Sequence, residues 1–204
     1  MAERLSAADP MSVGRALDVL RAGGLVVMPT DTVYGVGCLA FLPDAVARLY
    51  MAKGRPEDKP IPVLLGGAED FDRVAANLSD TARRLASAFW PGPLTLVVPR
   101  HPDLPPEIGP GGTVGVRVPA HSVAQELLKA AGPMAVTSAN RSGESPARSA
   151  EDAETALADT VDIVLDDGPS PGGQPSTVVD GTLNPPTILR PGPITEADLL
   201  EVLG

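Results

Sequence analysis

The chain of 204 residues has a single cysteine, two histidines and only 3% aromatic residues. Cys38 alone excludes an intrachain disulfide and suits a reducing compartment. One cysteine with His101 and His121 gives too few ligands for a structural zinc cluster. His121 reads as a histidine at the start of a helix in preference to a lone catalytic base. With few aromatics, the core must be built from Val, Leu, Ile and Ala. No uncharged stretch reaches the ~18 residues needed to span a bilayer. The first ten residues carry Glu3 and Asp9 and no apolar h-region, so they do not read as a signal peptide. These absences argue against a membrane-spanning or secreted protein and point to the cytoplasm.

What is present is ordinary globular composition, 43% hydrophobic and 21% charged, with 21 glycines and 23 prolines that predict many tight loops around a packed core. The net charge is −10. Residues 1–102 balance to zero, and the whole excess falls in the second half, with seven acids and no base between Glu151 and Asp167. Binding to a long nucleic acid needs a cationic patch, which this balance disfavours. The acidic run reads as a solvated helix face. Against it, Lys53, Arg55 and Lys59 stand out as a cationic loop suited to a small polyanion such as a nucleotide.

Helix signals cover residues 12–22, with Ser12 as N-cap, then 44–53 ended by Gly54, and a segment from Ser79 to before Pro91. Ser122-x-x-Gln125 predicts a capping box, Ser149 caps a helix to about Ala158 with Asp152 in its first turn, and Thr195 caps a last helix through Leu203. Short apolar runs predict strands at 25–28, 61–65, 94–98, 114–118, 134–137, 161–165, 177–179 and 187–189. Pro62 places its run near a strand start or at a sheet edge. The interleaving predicts an α/β (α+β) fold, a single-domain twisted mixed β-sheet with flanking helices.

Four polar segments sit beside these strands, and a fifth, cationic one follows the helix over 44–53. Pro29 to Cys38 holds two hydroxyls, a carboxylate and a phenol followed by glycines; taken alone, it also reads as a polar turn. Gly35-x-Gly37 lies too far from its strand for a dinucleotide fingerprint, and no Walker A loop is present. Lys53 to Pro60 spreads three cations between stiffening prolines, although cations at a helix C-terminus also complement the dipole. Ser138-Ala139-Asn140, Ser176-Thr177 and Arg190-Pro191-Gly192 complete the set, and together they suggest one convergent site.

These residues resemble the YrdC-like family of threonylcarbamoyl-AMP synthases: PTDTVYGVG at 29–37, KGRP at 53–56, TVGVRVP at 113–119, SAN at 138–140, STVVD at 176–180 and LRPG at 189–192. The resemblance implies a concave, positively charged groove on the sheet. It also implies formation of threonylcarbamoyl-adenylate and pyrophosphate from L-threonine, bicarbonate and ATP. The adenylate would pass to a tRNA threonylcarbamoyl transferase; Mg²⁺ would arrive with ATP. No membrane partner is implied, and direct tRNA binding stays open.

Carried over by position, Thr32, Arg117, Ser138 and Ser176 match threonine-binding positions, with Arg117 at the carboxylate. Lys53, Arg55, Lys59, Thr113, Asn140, Ser145 and Arg190 match nucleotide-binding positions, Lys53 and Arg55 being assigned to catalysis. Leu64 stands where many members carry histidine. The chain is read as one YrdC-like domain over 1–204 without an additional C-terminal domain. Two alternatives remain: a non-catalytic nucleotide- or RNA-binding paralogue, and a carbamoyl-transfer domain of the kind in hydrogenase-maturation proteins. The latter are parts of longer chains with acylphosphatase-like and zinc segments.

Overall fold

The computed structural model describes residues 2–157 and 159–204. Ten strands among these residues form one sheet: β1 (Glu3–Ser6), β2 (Val26–Met28), β3 (Gly35–Leu39), β4 (Val63–Leu64), β5 (Leu94–Pro99), β6 (Thr113–Arg117), β7 (Met134–Ser138), β8 (Ile163–Asp166), β9 (Thr177–Asp180) and β10 (Thr187–Arg190). Their order is β1-β8-β2-β3-β7-β4-β6-β5-β9-β10. Pairing is mixed: β1–β8, β8–β2, β4–β6 and β5–β9 are parallel and the rest antiparallel. Among the described residues seven α-helices flank it: α1 (Ser12–Arg21), α2 (Pro43–Lys53), α3 (Phe71–Val74), α4 (Asp80–Phe89), α5 (Ser122–Ala131), α6 (Ala150–Leu157) and α7 (Glu196–Leu203). None of the described helices is long and apolar enough to cross a membrane.

The two-residue period of the strands sorts side chains between two cores. Val27, Val63, Ala135 and Val164 join a large core that includes side chains of α2, α3, α4, α6 and α7. Their neighbours Val26, Met28, Leu64, Met134, Val136, Ile163 and Leu165 face the other way, against Val13, Ala16 and Leu20 of α1 and Val123, Ala124, Leu127 and Leu128 of α5. On that second face the strip from β4 through β6 and β5 to β9 turns outward the small or polar Gly115, Arg117, Thr95 and Ser176, with the apolar Val97 and Val178 beside them. This strip is the floor of the candidate site. Fully burying each large core side chain stabilises the scaffold by about 1.5–3 kcal/mol.

Several local expectations need correction. Ser12 is the first helical residue, not the N-cap; its hydroxyl donates to Ser6 O (2.7 Å) and Met11 takes the cap position without a side-chain bond. The Ser122/Gln125 capping box does not form. His121 occupies the N-cap, and Gln125 Nε2 turns back to donate to Pro119 O. Pro62 precedes β4, but that strand is central, between β7 and β6; a proline is tolerated because it stands before the first paired residue. Ser79 and Thr195 do cap α4 and α7, and Ser149 and Asp152 bond reciprocally at the start of α6. The expected end of α6 near position 158 lies outside the described residues. Strand β1 had no apolar alternation to announce it: only Leu5 is apolar, and the strand pairs on one side alone, with β8.

Candidate active site

The open strip floors a cavity of about 750 Å³. Thr32, Arg55, Lys59, Arg117, Ser138, Asn140, Ser176 and Arg190 all line it. They come from six separate places in the chain, so convergence of the polar loops is a property of the fold. Lys53, Thr113 and Ser145 do not line it. Thr113 is exposed at the outer end of β6, on the same strand face as Gly115 and Arg117. Ser145 lies in an adjoining groove of about 830 Å³ that shares Asn140, Glu144, Pro146 and Pro175 with the first.

Lys53 is the main departure from the expected site. It is 3% exposed, and its ammonium donates to Ser138 O and Asn140 O. It therefore straps the end of α2 to the loop after β7 instead of facing a phosphate. Burial, aided by the charge of Arg55, lowers its pKa from 10.5 to about 8. Gly54, in the left-handed conformation at φ +56°, ends α2 and lets the next residues turn toward the cavity. Arg55 then donates from Nε to Lys59 O (3.0 Å) and from Nη2 to Pro60 O (2.9 Å), fixing the loop that carries Lys59. Two of its five N–H groups are used in this way, and the others remain for a ligand.

Arg117, 6% exposed, is held at three atoms. Nε donates to Gly92 O (2.9 Å), Nη1 to Thr32 Oγ1 (2.9 Å) and Nη2 to Asp31 Oδ1 (2.6 Å). Burial lowers its pKa, opposed by Asp31, and the nearby Arg190 lowers it further. The guanidinium stays charged, as arginine does in proteins.

The hydroxyl polarity of Thr32 is fixed by its neighbours. Thr30 Oγ1 gives its one proton to Val33 O (2.6 Å), so in the 3.0 Å contact between Thr30 and Thr32 the donor is Thr32. With Arg117 donating to it, Thr32 Oγ1 retains only acceptor capacity for a ligand, which suits an amino group. Across the cavity, Arg190 grips Ser176 through Nη2 to O (2.7 Å) and to Oγ (3.2 Å), and Ser176 Oγ lies 2.8 Å from Thr95 Oγ1.

Asn140 Nδ2 donates to Arg141 O (2.7 Å) and Glu144 O (2.9 Å), which leaves its buried Oδ1 without a partner at the junction of the two grooves. That lone acceptor matches a donor edge on a ligand crossing from one groove to the other.

Sequence reasoning noted Thr30 and Asp31 only as part of a polar segment, without individual roles, and passed over Thr95. Thr95, a polar residue between Leu94 and Leu96, was the available signal for the last. Tyr34 is used structurally: its hydroxyl donates to Gly168 O (2.6 Å) and accepts from Asp167 N (3.2 Å). Cys38 is fully buried and its thiol is pushed up to about 12 by burial, so it is no nucleophile. His121 Nε2 sits 3.5 Å from Asp167 Oδ2, and its ring does not line the cavity.

Among the described residues no group of three His, Cys, Asp or Glu side chains is placed to hold a metal ion. The carboxylates lining the cavity are Asp58 and Glu144, both exposed. Such a sparse donor set fits a hydrated Mg²⁺ carried by phosphate oxygens rather than a protein cage.

Fold and site together define a cavity on the open face of a mixed sheet, lined by four cations and a row of hydroxyls. Residues 18–192 match the Sua5/YciO/YrdC family model, whose description reads telomere recombination, and the chain belongs to that family. A Mycobacterium tuberculosis protein provisionally named a threonylcarbamoyl-AMP synthase is 48% identical over all of this chain and 96% of its own length. The Bacillus subtilis threonylcarbamoyl-AMP synthase is 38% identical over 99% of this chain and 59% of its own. The crystal structure of Pyrococcus abyssi Sua5 complexed with L-threonine superposes with a TM-score of 0.93 at 36% identity, covering 100% of this chain and 61% of that one.

Proposed function

We propose that this protein is a threonylcarbamoyl-AMP synthase, a nucleotidyltransferase acting in the cytoplasm on L-threonine, bicarbonate and ATP. The observation that carries the reading is the convergence of Arg55, Lys59, Arg117 and Arg190 with Thr32, Ser138 and Ser176 on one cavity. The cations suit a triphosphate and a carboxylate; the hydroxyls and the acceptor on Thr32 suit an amino acid beside it. The homologues' names and the threonine complex of P. abyssi Sua5 support the same assignment.

The threonine amine adds to bicarbonate, with loss of water, to give a carbamate. A carbamate oxygen then attacks the α-phosphorus of ATP and pyrophosphate leaves. No covalent enzyme intermediate is needed, in keeping with a site of cations and hydroxyls. The two spare N–H groups of Arg117 hold the threonine carboxylate, and Thr32 accepts from its amine. Arg55 and Lys59 hold the phosphates, with Arg190 closing the opposite wall beside Ser176. Ser138 and Asn140 lie between the substrates, with the nucleoside directed toward Ser145 in the adjoining groove.

Catalysis comes from alignment of the reactants and from stabilisation of charge on the departing pyrophosphate. Asp58 and Glu144, within the cavity, would hold the water shell of a Mg²⁺ arriving with ATP, which when bound would supply charge neutralisation on the phosphates. Lys53 acts through the loop it straps. The adenylate passes to a tRNA threonylcarbamoyl transferase. Incubation with ATP, Mg²⁺, bicarbonate and L-threonine tests this: pyrophosphate release that needs both threonine and bicarbonate supports it. Release with ATP alone, or none, points to a non-catalytic nucleotide-binding protein.

A further inference from the structure

We propose that Asp31 is a positioning residue for amino-acid recognition, aiming Arg117 at the substrate carboxylate without touching the substrate. The proposal rests on the assignment of Arg117 to that carboxylate. The Asp31–Arg117 pair is nearly removed from solvent, with 14% and 7% of the side chains exposed. A guanidinium this buried is held in one orientation only if its countercharge and acceptors are fixed. Asp31 Oδ1 accepts from Arg117 Nη2 (2.6 Å) and also from Ala120 N (3.0 Å), just beyond β6. One oxygen thus pins both the side chain and the backbone leaving its strand. Thr30 and Thr32, on either side of Asp31, line the cavity, whereas Asp31 does not.

The remaining contacts fix how the guanidinium is presented. With Nε bound to Gly92 O and Nη1 to Thr32, the two unused N–H groups fall one on each Nη. That pair matches the two oxygens of a carboxylate. Asp31 also neutralises the charge of Arg117. Loss of that negative charge weakens the hold on Nη2, leaving only a neutral acceptor, and makes the cavity one unit more positive, so threonine and nucleotide are expected to respond in opposite ways. A residue that merely supports the fold weakens both.

Calorimetric titration of the full chain with L-threonine, and separately with a non-hydrolysable ATP analogue, reads this directly. Asp31→Asn is expected to weaken threonine binding about tenfold and leave analogue binding unchanged or tighter. Asp31→Glu, which retains the charge, is expected to recover part of the loss. In an Arg117→Lys background, Asp31→Asn is expected to add clearly less than its own tenfold, because the fork it aims is gone.

Four results overturn the proposal: unchanged threonine affinity in Asp31→Asn, equal losses for both ligands, no recovery in Asp31→Glu, or full additivity with Arg117→Lys. If Asp31→Asn is recovered unfolded, Asp31→Glu and the Arg117→Lys pair with it decide the matter. A wild-type protein that binds no threonine sinks the functional reading together with this proposal. Wild-type binding with an indifferent Asp31→Asn sinks this proposal alone.

Discussion

Arg55→Ala separates a ligand-facing cation from a structural one. Arg55 is partly buried, lines the cavity, and spends two donors on the exposed carbonyls of Lys59 and Pro60. Its loss removes a charge-assisted contact to the triphosphate worth about 1.5–3 kcal/mol, which is about one to two decades in kcat/KM for ATP. The two carbonyls lie where water replaces the lost donors, so folding loses no more than about 1 kcal/mol and Tm falls by only ~2–4 °C. Threonine binding without nucleotide is left in place, since Arg117 and Thr32 are untouched. Arg55→Lys keeps the charge without the planar fork and falls between the two. Pyrophosphate release at varied ATP, with a thermal melt of each variant, provides the assay. Near-wild-type kcat/KM in a folded Arg55→Ala refutes the phosphate role of this loop.

The remaining perturbations address the strap at Lys53 and the glycine beside Asp31. The folded-state pKa of Lys53 is about 8 against 10.5 for an ordinary lysine, so between those values the unfolded chain holds a proton the folded chain lacks. Stability contributed by this group therefore rises with pH across that window, and below it the cost of the buried charge is constant. The neutral amine still has two N–H donors for its two carbonyls. Relative to Lys53→Met, wild type should gain about 2 kcal/mol in denaturant unfolding between pH 7 and pH 9.5; parallel profiles contradict the assignment. A methyl group on Gly172 would lie 2.4 Å from Asp31 O, and Gly173 N donates to Thr32 O (2.7 Å). Gly172→Ala should therefore cost about 1–3 kcal/mol and weaken threonine binding. Gly14→Ala, exposed in α1 with open space around it, should stabilise by up to about 1 kcal/mol in the same melts.

Much of this site was legible in the sequence. Loops beside strands, rich in Thr, Ser, Asn and Arg in an acidic chain, pointed to one polyanion site, and eight of the eleven assigned side chains meet in the cavity. Lys53 was misplaced because spacing along a loop does not show which cation turns inward to satisfy buried carbonyls. Here Ser138 O and Asn140 O claim it. Asp31 was visible as a carboxylate in a polar turn, but its partner Arg117 lies 86 residues away, and only the folded sheet joins them. The helix starts at Ser12 and Ser122 were misjudged for a related reason. Ser6 O competes for the first hydroxyl, and Pro119 O takes the Gln125 amide needed by the second's capping box. Strands β2, β7 and β8 were readable from their apolar runs, whereas β1 depends on an edge that only β8 supplies.

The most direct measurement is a crystal structure with L-threonine and a non-hydrolysable ATP analogue bound together. The account predicts the threonine and the ATP phosphates together in the 750 Å³ cavity, the threonine carboxylate on Arg117 and the phosphates on Arg55 and Lys59, with the amino group turned toward the α-phosphorus and the nucleoside extending toward Ser145 in the adjoining groove. Threonine and phosphates in separate grooves, or phosphates seated away from Arg55 and Lys59, contradict it.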